Sequence, residues 1–250
     1  MNQNRPAQRR GIYLLPNLFT TAALFSGFYA IIAAMNGRFE SAAVAIFIAM
    51  VLDGLDGRVA RLTNTQSEFG AEYDSLSDMV SFGLAPALTI YAWSLNSLGK
   101  LGWLAAFVYT AGAALRLARF NTQMAVVDKR FFQGLPSPAA AAIVAGVVWM
   151  GNDLGLSGEA LRWPAFAVTL IAGVLMVSNV RYYSFKDLDI KGHVPFMSML
   201  VMVLIFVLIS LDPPQVLFGT FVIYALSGPA VTGWMLLRRY RQKRFAERRD

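Results

Sequence analysis

The stretch DGLDGRVARLTNTQSEFGAEYDSLSD, residues 53–78, decides how the whole chain must be read. It carries four aspartates, Asp53, Asp56, Asp74 and Asp78, and lies between and inside segments otherwise built for lipid. A carboxylate at bilayer depth costs roughly 2.5–3.5 kcal/mol on insertion scales. Four standing alone would cost on the order of 10–14 kcal/mol, so something must offset their charge. Asp53 and Asp56 are three apart, and Asp74 and Asp78 are four apart, so each pair shares one face of a helix. The polar connection at 63–70 can return the chain as an antiparallel hairpin, and all four carboxylates then point into one cleft. Oxygen donors without soft ligands select Mg²⁺ or Mn²⁺ over zinc or copper. Four carboxylates suffice for two divalent ions sharing ligands, the arrangement that clamps attacking and leaving oxygens in phosphoryl transfer.

Outward from this stretch the chain is a membrane protein. Of its 250 residues 56% are hydrophobic and 15% charged, with a mean hydropathy of +0.50; soluble domains average about 25% charged. Eight spans are expected, at about 14–36, 41–61, 73–95, 101–124, 137–152, 163–180, 195–211 and 215–237. An even number puts both termini on one side. That side collects nineteen of the basic residues, among them Arg5, Arg9, Arg10 and seven between Arg238 and Arg249. The other side has three, Arg38, Lys100 and Arg162. The positive-inside rule therefore predicts a multi-pass protein of the inner (cytoplasmic) membrane with both termini cytoplasmic. The aspartates fall at the cytoplasmic ends of the second and third spans. A single integral-membrane domain over 1–250 is expected, flanked by a basic N-terminus (1–12) and a tail (238–250).

Other chemistries are excluded or left bland. There is no cysteine, and a single histidine, His193, argues against a zinc site. The polybasic tail reads as a topology anchor that touches anionic lipid; no folded module remains to present it to nucleic acid. No cleavable signal is expected, because the first apolar run carries Pro16 and Asn17 and continues too far.

Small residues flank the acids. Gly54 and Gly57 strip side chains from the helix face, which lets a bulky phosphorylated ligand approach, or else serves close helix packing. Arg61, one turn past Gly57, can hold a phosphate or anchor the cytoplasmic boundary. Acids in a membrane also serve proton or cation relays. These four, however, cluster at one face instead of lining a path across.

The full string Asp53-x-x-Asp56-Gly57-x-x-Ala60-Arg61-x8-Gly70-x-x-x-Asp74-x-x-x-Asp78 resembles, without departure, the signature of the CDP-alcohol phosphotransferases. That resemblance implies an all-α polytopic bundle, a cytoplasmic cleft, a homodimer, two divalent metals, and displacement of CMP from a CDP-linked alcohol or lipid. It implies that Asp53, Asp56 and Asp74 ligate metal, and that Asp78 joins the metal site and serves as the catalytic base. Gly57 and Arg61 would contact the CDP moiety, and Gly70 of the same signature is expected on the CDP/phosphate-binding side with them.

Three further stretches, LPNLFT (15–20), ALRLARFN (114–121) and FFQGLPSP (131–138), resemble the phosphatidylserine synthase branch of that family. They imply CDP-diacylglycerol as donor and L-serine as acceptor. Asn17 is a helix start or, by the resemblance, a nucleotide contact. Arg116 and Arg119, three apart on one face, can hold the serine carboxylate, a diphosphate oxygen or a lipid headgroup. Asn121 can cap its helix or touch substrate. Glycerol 3-phosphate or an inositol compound is the alternative acceptor. An intramembrane prenyltransferase would need a second Asp-rich motif in the later half, which lacks one; Asp187 and Asp189 stand in a loop with Lys186 and Lys191 and read as solvated.

Overall fold

The structure is a computed structural model and describes residues 14–123, 131–183 and 196–246. Its helices are α1 (Leu14–Met35), α2 (Phe39–Leu62), α3 (Glu68–Asp78), α4 (Ala85–Trp93), α5 (Lys100–Gln123), α6 (Ser137–Asp153), α7 (Arg162–Val177), α8 (Phe196–Leu211) and α9 (Pro213–Ala246). A π-turn, Met79–Leu84, joins α3 to α4, so the expected third span is one rod with a change of register inside it. Every expected span coincides with a helix or with this rod. The protein is a polytopic helical membrane bundle. Among the described residues three stretches, Leu14–Met35, Lys100–Thr122 and Pro213–Trp234, are long and apolar enough to cross a bilayer by themselves.

Boundaries differ where side chains outside the hydrophobic pattern act. Hydropathy starts the third span at residue 73, but α3 begins at Glu68 because Ser67 caps it, its Oγ accepting from Gly70 N at 3.0 Å. Hydropathy carries the sixth to 180, but α7 stops at Val177 and the chain extends into β2 (Arg181–Tyr183). β2 pairs antiparallel with β1 (Phe131–Gln133), Phe131 opposite Tyr183. This short ladder joins segments about fifty residues apart, a pairing that local periodicity does not register. The last helix runs on to Ala246, well into the basic tail.

Packing starts from alanine. α1 and α2 lie antiparallel along a seam in which Ala30, Ala33, Ala34, Ala42, Ala43, Ala45 and Ala49 are all buried. Small side chains let helix backbones approach closely, which is what drives association where lipid supplies no hydrophobic contrast. The second core gathers α4–α7 around Ile90, Tyr109, Val144, Val148 and Met176. There α5 and α7 cross at glycine on both sides: a Cβ on Gly112 would lie 2.6 Å from Gly173 O.

The α3–π–α4 rod is laid across α1 by two serines. Ser77 Oγ donates to Thr20 O at 3.2 Å, and Ser81 Oγ donates to Ala23 O at 3.1 Å. Ser81 enters the notch left by Gly27, where a Cβ would sit 2.5 Å from Ser81 Oγ and 2.7 Å from its Cα. Gly27→Ala should therefore lower stability by about 1–3 kcal/mol. Thermal unfolding in detergent checks this, and an unchanged melting temperature would mean α1 retreats at no cost.

Candidate active site

The hairpin forms as its spacing predicts. α2 brings Asp53 and Asp56, α3 brings Asp74, and their carboxylate oxygens come within 4.8 Å of one another. Asp78 adjoins this trio at the end of α3, with Asp53 and Asp74 as its acidic neighbours and Arg116 of α5 as a cation facing it. The donor set consists of carboxylates on two rigid helices and contains no nitrogen or sulfur. That composition and convergence fit a hard divalent cation.

Asp56 is buried, and the Thr20 hydroxyl of α1 donates to its Oδ2 at 2.6 Å. A partner of this kind fixes the rotamer of a metal-ligating carboxylate. One turn earlier on α1, Asn17 reaches the start of α3: its Oδ1 lies 3.5 Å from the position a Cβ on Gly70 would take. Glycine at 70 thus leaves the Asn17 amide uncovered. Thr21 and Tyr73 add a hydroxyl pair at 2.9 Å between the same two helices. On the other flank, a Cβ on Gly54 or Gly57 would meet nothing within 4 Å. Arg61 is exposed one turn beyond Gly57. The glycines therefore border open space beside the acids and are not packed against another helix.

α5 closes the opposite side. Arg116 donates through Nη1 to Ser137 Oγ at 2.7 Å, while its Nε is buried and makes no hydrogen bond among the described residues. Arg119 turns elsewhere, its Nη1 3.4 Å from Asn179 Oδ1. The two arginines share a helix face but hold different partners, and Arg116 is the one beside Asp78. Asn121 lies inside α5 instead of capping it, and its Nδ2 donates to Ser75 Oγ of α3 at 3.1 Å. It ties α5 to the helix that carries Asp74 and Asp78.

Thr20, Ser75 and Ser137 touch the candidate site without having been assigned a role from sequence, although Thr20 and Ser137 fall within the stretches LPNLFT and FFQGLPSP. A hydroxyl on an apolar helix commonly bonds its own backbone one turn back, as Thr21 does to Asn17 O. Thr20 also stands three residues after Asn17 on the same face.

The polytopic helical fold is that of a CDP-linked alcohol transferase. The sequence profile of the CDP-alcohol phosphatidyltransferase family matches residues 13–178, and the chain belongs to that family. Among curated proteins it is similar to the CDP-diacylglycerol–serine O-phosphatidyltransferase of Helicobacter pylori (strain ATCC 700392 / 26695), with 37% identity over 215 residues, 86% of this chain and 90% of the relative. The like-named protein of Mycobacterium leprae is 35% identical over 200 residues, covering 76% of this chain and 65% of its own length. That of Methanocaldococcus jannaschii is 36% identical over 142 residues, 57% of this chain and 63% of its own.

Removing the Thr20 hydroxyl tests whether Asp56 is held for a cation. Thr20→Val should weaken Mn²⁺ binding about tenfold, in line with the loss of other ligand-orienting partners. The loss of the free Mn²⁺ signal in electron paramagnetic resonance reads this directly, and wild-type affinity would show that Asp56 is oriented from elsewhere.

Proposed function

We propose that this protein is a phosphatidyl transferase that joins CDP-diacylglycerol to L-serine, forming phosphatidylserine and releasing CMP. Its support is the convergence of Asp53, Asp56 and Asp74 next to Asp78 and Arg116, together with relatives of that printed name across most of the chain. Asp53, Asp56 and Asp74, joined by Asp78, would hold two divalent ions, Mg²⁺ or Mn²⁺. Such ions neutralise the diphosphate and stabilise the charge that develops on the leaving phosphate.

The chain's own residues supply the rest. Gly54 and Gly57 leave room for the CDP moiety beside α2. Arg61, Asn17 and Gly70 line the rim on which its phosphate and cytidine groups rest. Asp78 takes the proton from the serine hydroxyl as the new O–P bond forms and the bond to CMP breaks. Arg116 presents its Nε, which has no partner among the described residues, to the serine carboxylate while Ser137 steadies the other end of the guanidinium. A buried donor without a partner is costly, and an incoming carboxylate removes that cost. Arg119 and Asn121 complete the wall of the acceptor side. The enzyme works as a homodimer in the inner membrane, both termini in the cytoplasm, among lipids that include its substrate and product.

Purified protein with CDP-diacylglycerol and Mn²⁺ should release CMP when L-serine is added. Release with glycerol 3-phosphate or an inositol compound but not with serine would make the acceptor assignment wrong. Arg116→Ala should raise the serine KM at least tenfold with the CDP-diacylglycerol KM within about twofold. An unchanged serine KM would remove Arg116 from the acceptor site.

A further inference from the structure

Immediately after Asp78 the rod leaves the α-helical register. Ala85 N–H donates five residues back, to Val80 O, within the π-turn Met79–Leu84. Pro86 gives the reason. In an unbroken α-helix residue 86 would donate to Phe82 O, but proline has no N–H and its ring crowds that carbonyl. Phe82 is wholly buried, so water cannot satisfy its carbonyl instead.

The missing donor comes from α5. Tyr109 is also wholly buried, and its hydroxyl donates to Phe82 O at 2.9 Å. The backbone at Tyr109 is fixed by α7, since a Cβ on Gly173 would lie 2.9 Å from Tyr109 Cα. Thr110 is only a distant neighbour of the next carbonyl, 3.5 Å from Gly83 O, and bonds Ala106 O at 2.9 Å. Tyr109 therefore supplies the short bond at this turn.

The register matters because it sets a phase. A π-turn carries one residue more than an α-turn, which rotates the helix on its N-terminal side by ~100° relative to the helix on its C-terminal side. On the C-terminal side stands α4, whose Ala87 and Ile90 are buried in the core and fix its orientation. On the N-terminal side stands α3, with Asp74 and Asp78.

We propose that Tyr109 is a positioning residue: by satisfying the carbonyl that Pro86 leaves without a donor, its hydroxyl holds the π-turn that aims Asp74 and Asp78 into the carboxylate cluster. This role rests on the cation site proposed above. Mn²⁺ binding to the full-length protein, read from the free Mn²⁺ resonance signal, tests it apart from turnover.

Tyr109→Phe keeps the ring and removes only the hydroxyl. It should raise the Mn²⁺ dissociation constant about tenfold and lower kcat at least as much, with the serine KM within about twofold. Pro86→Ala, with Tyr109 intact, restores an N–H and favours the regular helix. It should hold or raise the melting temperature while weakening Mn²⁺ binding, a split that a purely structural role does not produce. Wild-type Mn²⁺ affinity in either folded variant overturns the proposal, and Pro86→Ala decides it if Tyr109→Phe does not fold. Failure of the wild-type protein to bind Mn²⁺ would instead overturn the cation site itself, and with it this role.

Discussion

Crowded like charge is the constraint on which the rest of the molecule depends. Carboxylates within 4.8 Å of one another repel by about 3–4 kcal/mol per ionised pair at an effective dielectric near 20. An apolar bundle tolerates that only if the acids are held rigidly around something positive. The surrounding structure supplies rigid holding from several directions: Thr20 from α1 on Asp56, Asn121 from α5 on the helix of Asp74, and Arg116 facing Asp78. Each of these helices also belongs to a core, so the site inherits its precision from packing that has no chemical role.

The parts of this arrangement that are local in sequence were legible there. The intervals between the four aspartates, the polar connection at 63–70 and the apolar spans all follow from helical periodicity, and the hairpin they predict is the one that forms. Contacts between distant segments left no such trace. Thr20 and Asp56 are 36 residues apart, and Ser75 and Asn121 are 46 apart. The β1–β2 ladder is likewise non-local, and it truncates α7 before the hydrophobic pattern ends. Arg116 and Arg119 show the limit well. Their spacing placed both on one face, but only the tertiary placement of Ser137 at the start of α6 and of Asn179 after α7 gives the two arginines different partners.

The family profile ends at residue 178, yet the fold continues to use the chain beyond it. Tyr182 of β2 donates to Ala225 O at 3.0 Å, and Tyr224 donates to Tyr183 O at 3.2 Å. α9 also covers α6, with Phe218 against Gly146, where a Cβ would come within 3.0 Å. α6 is the helix that begins at Ser137. The C-terminal part of the described chain therefore packs against the helix that begins at the residue bonded to Arg116, although no part of it carries an acidic motif.

The alanine seam between α1 and α2 has a further meaning. Many of its side chains are one methyl thick, so the two helices rest against each other closely, with little slack to absorb a change in separation. At one end of that seam stands the 2.6 Å bond from Thr20 to Asp56. The seam works as a caliper: a length set several helical turns away, by the smallest side chains in the protein, is transmitted undiminished to the jaws where the charge is held. Drift toward larger residues along it would open those jaws without touching a single polar group.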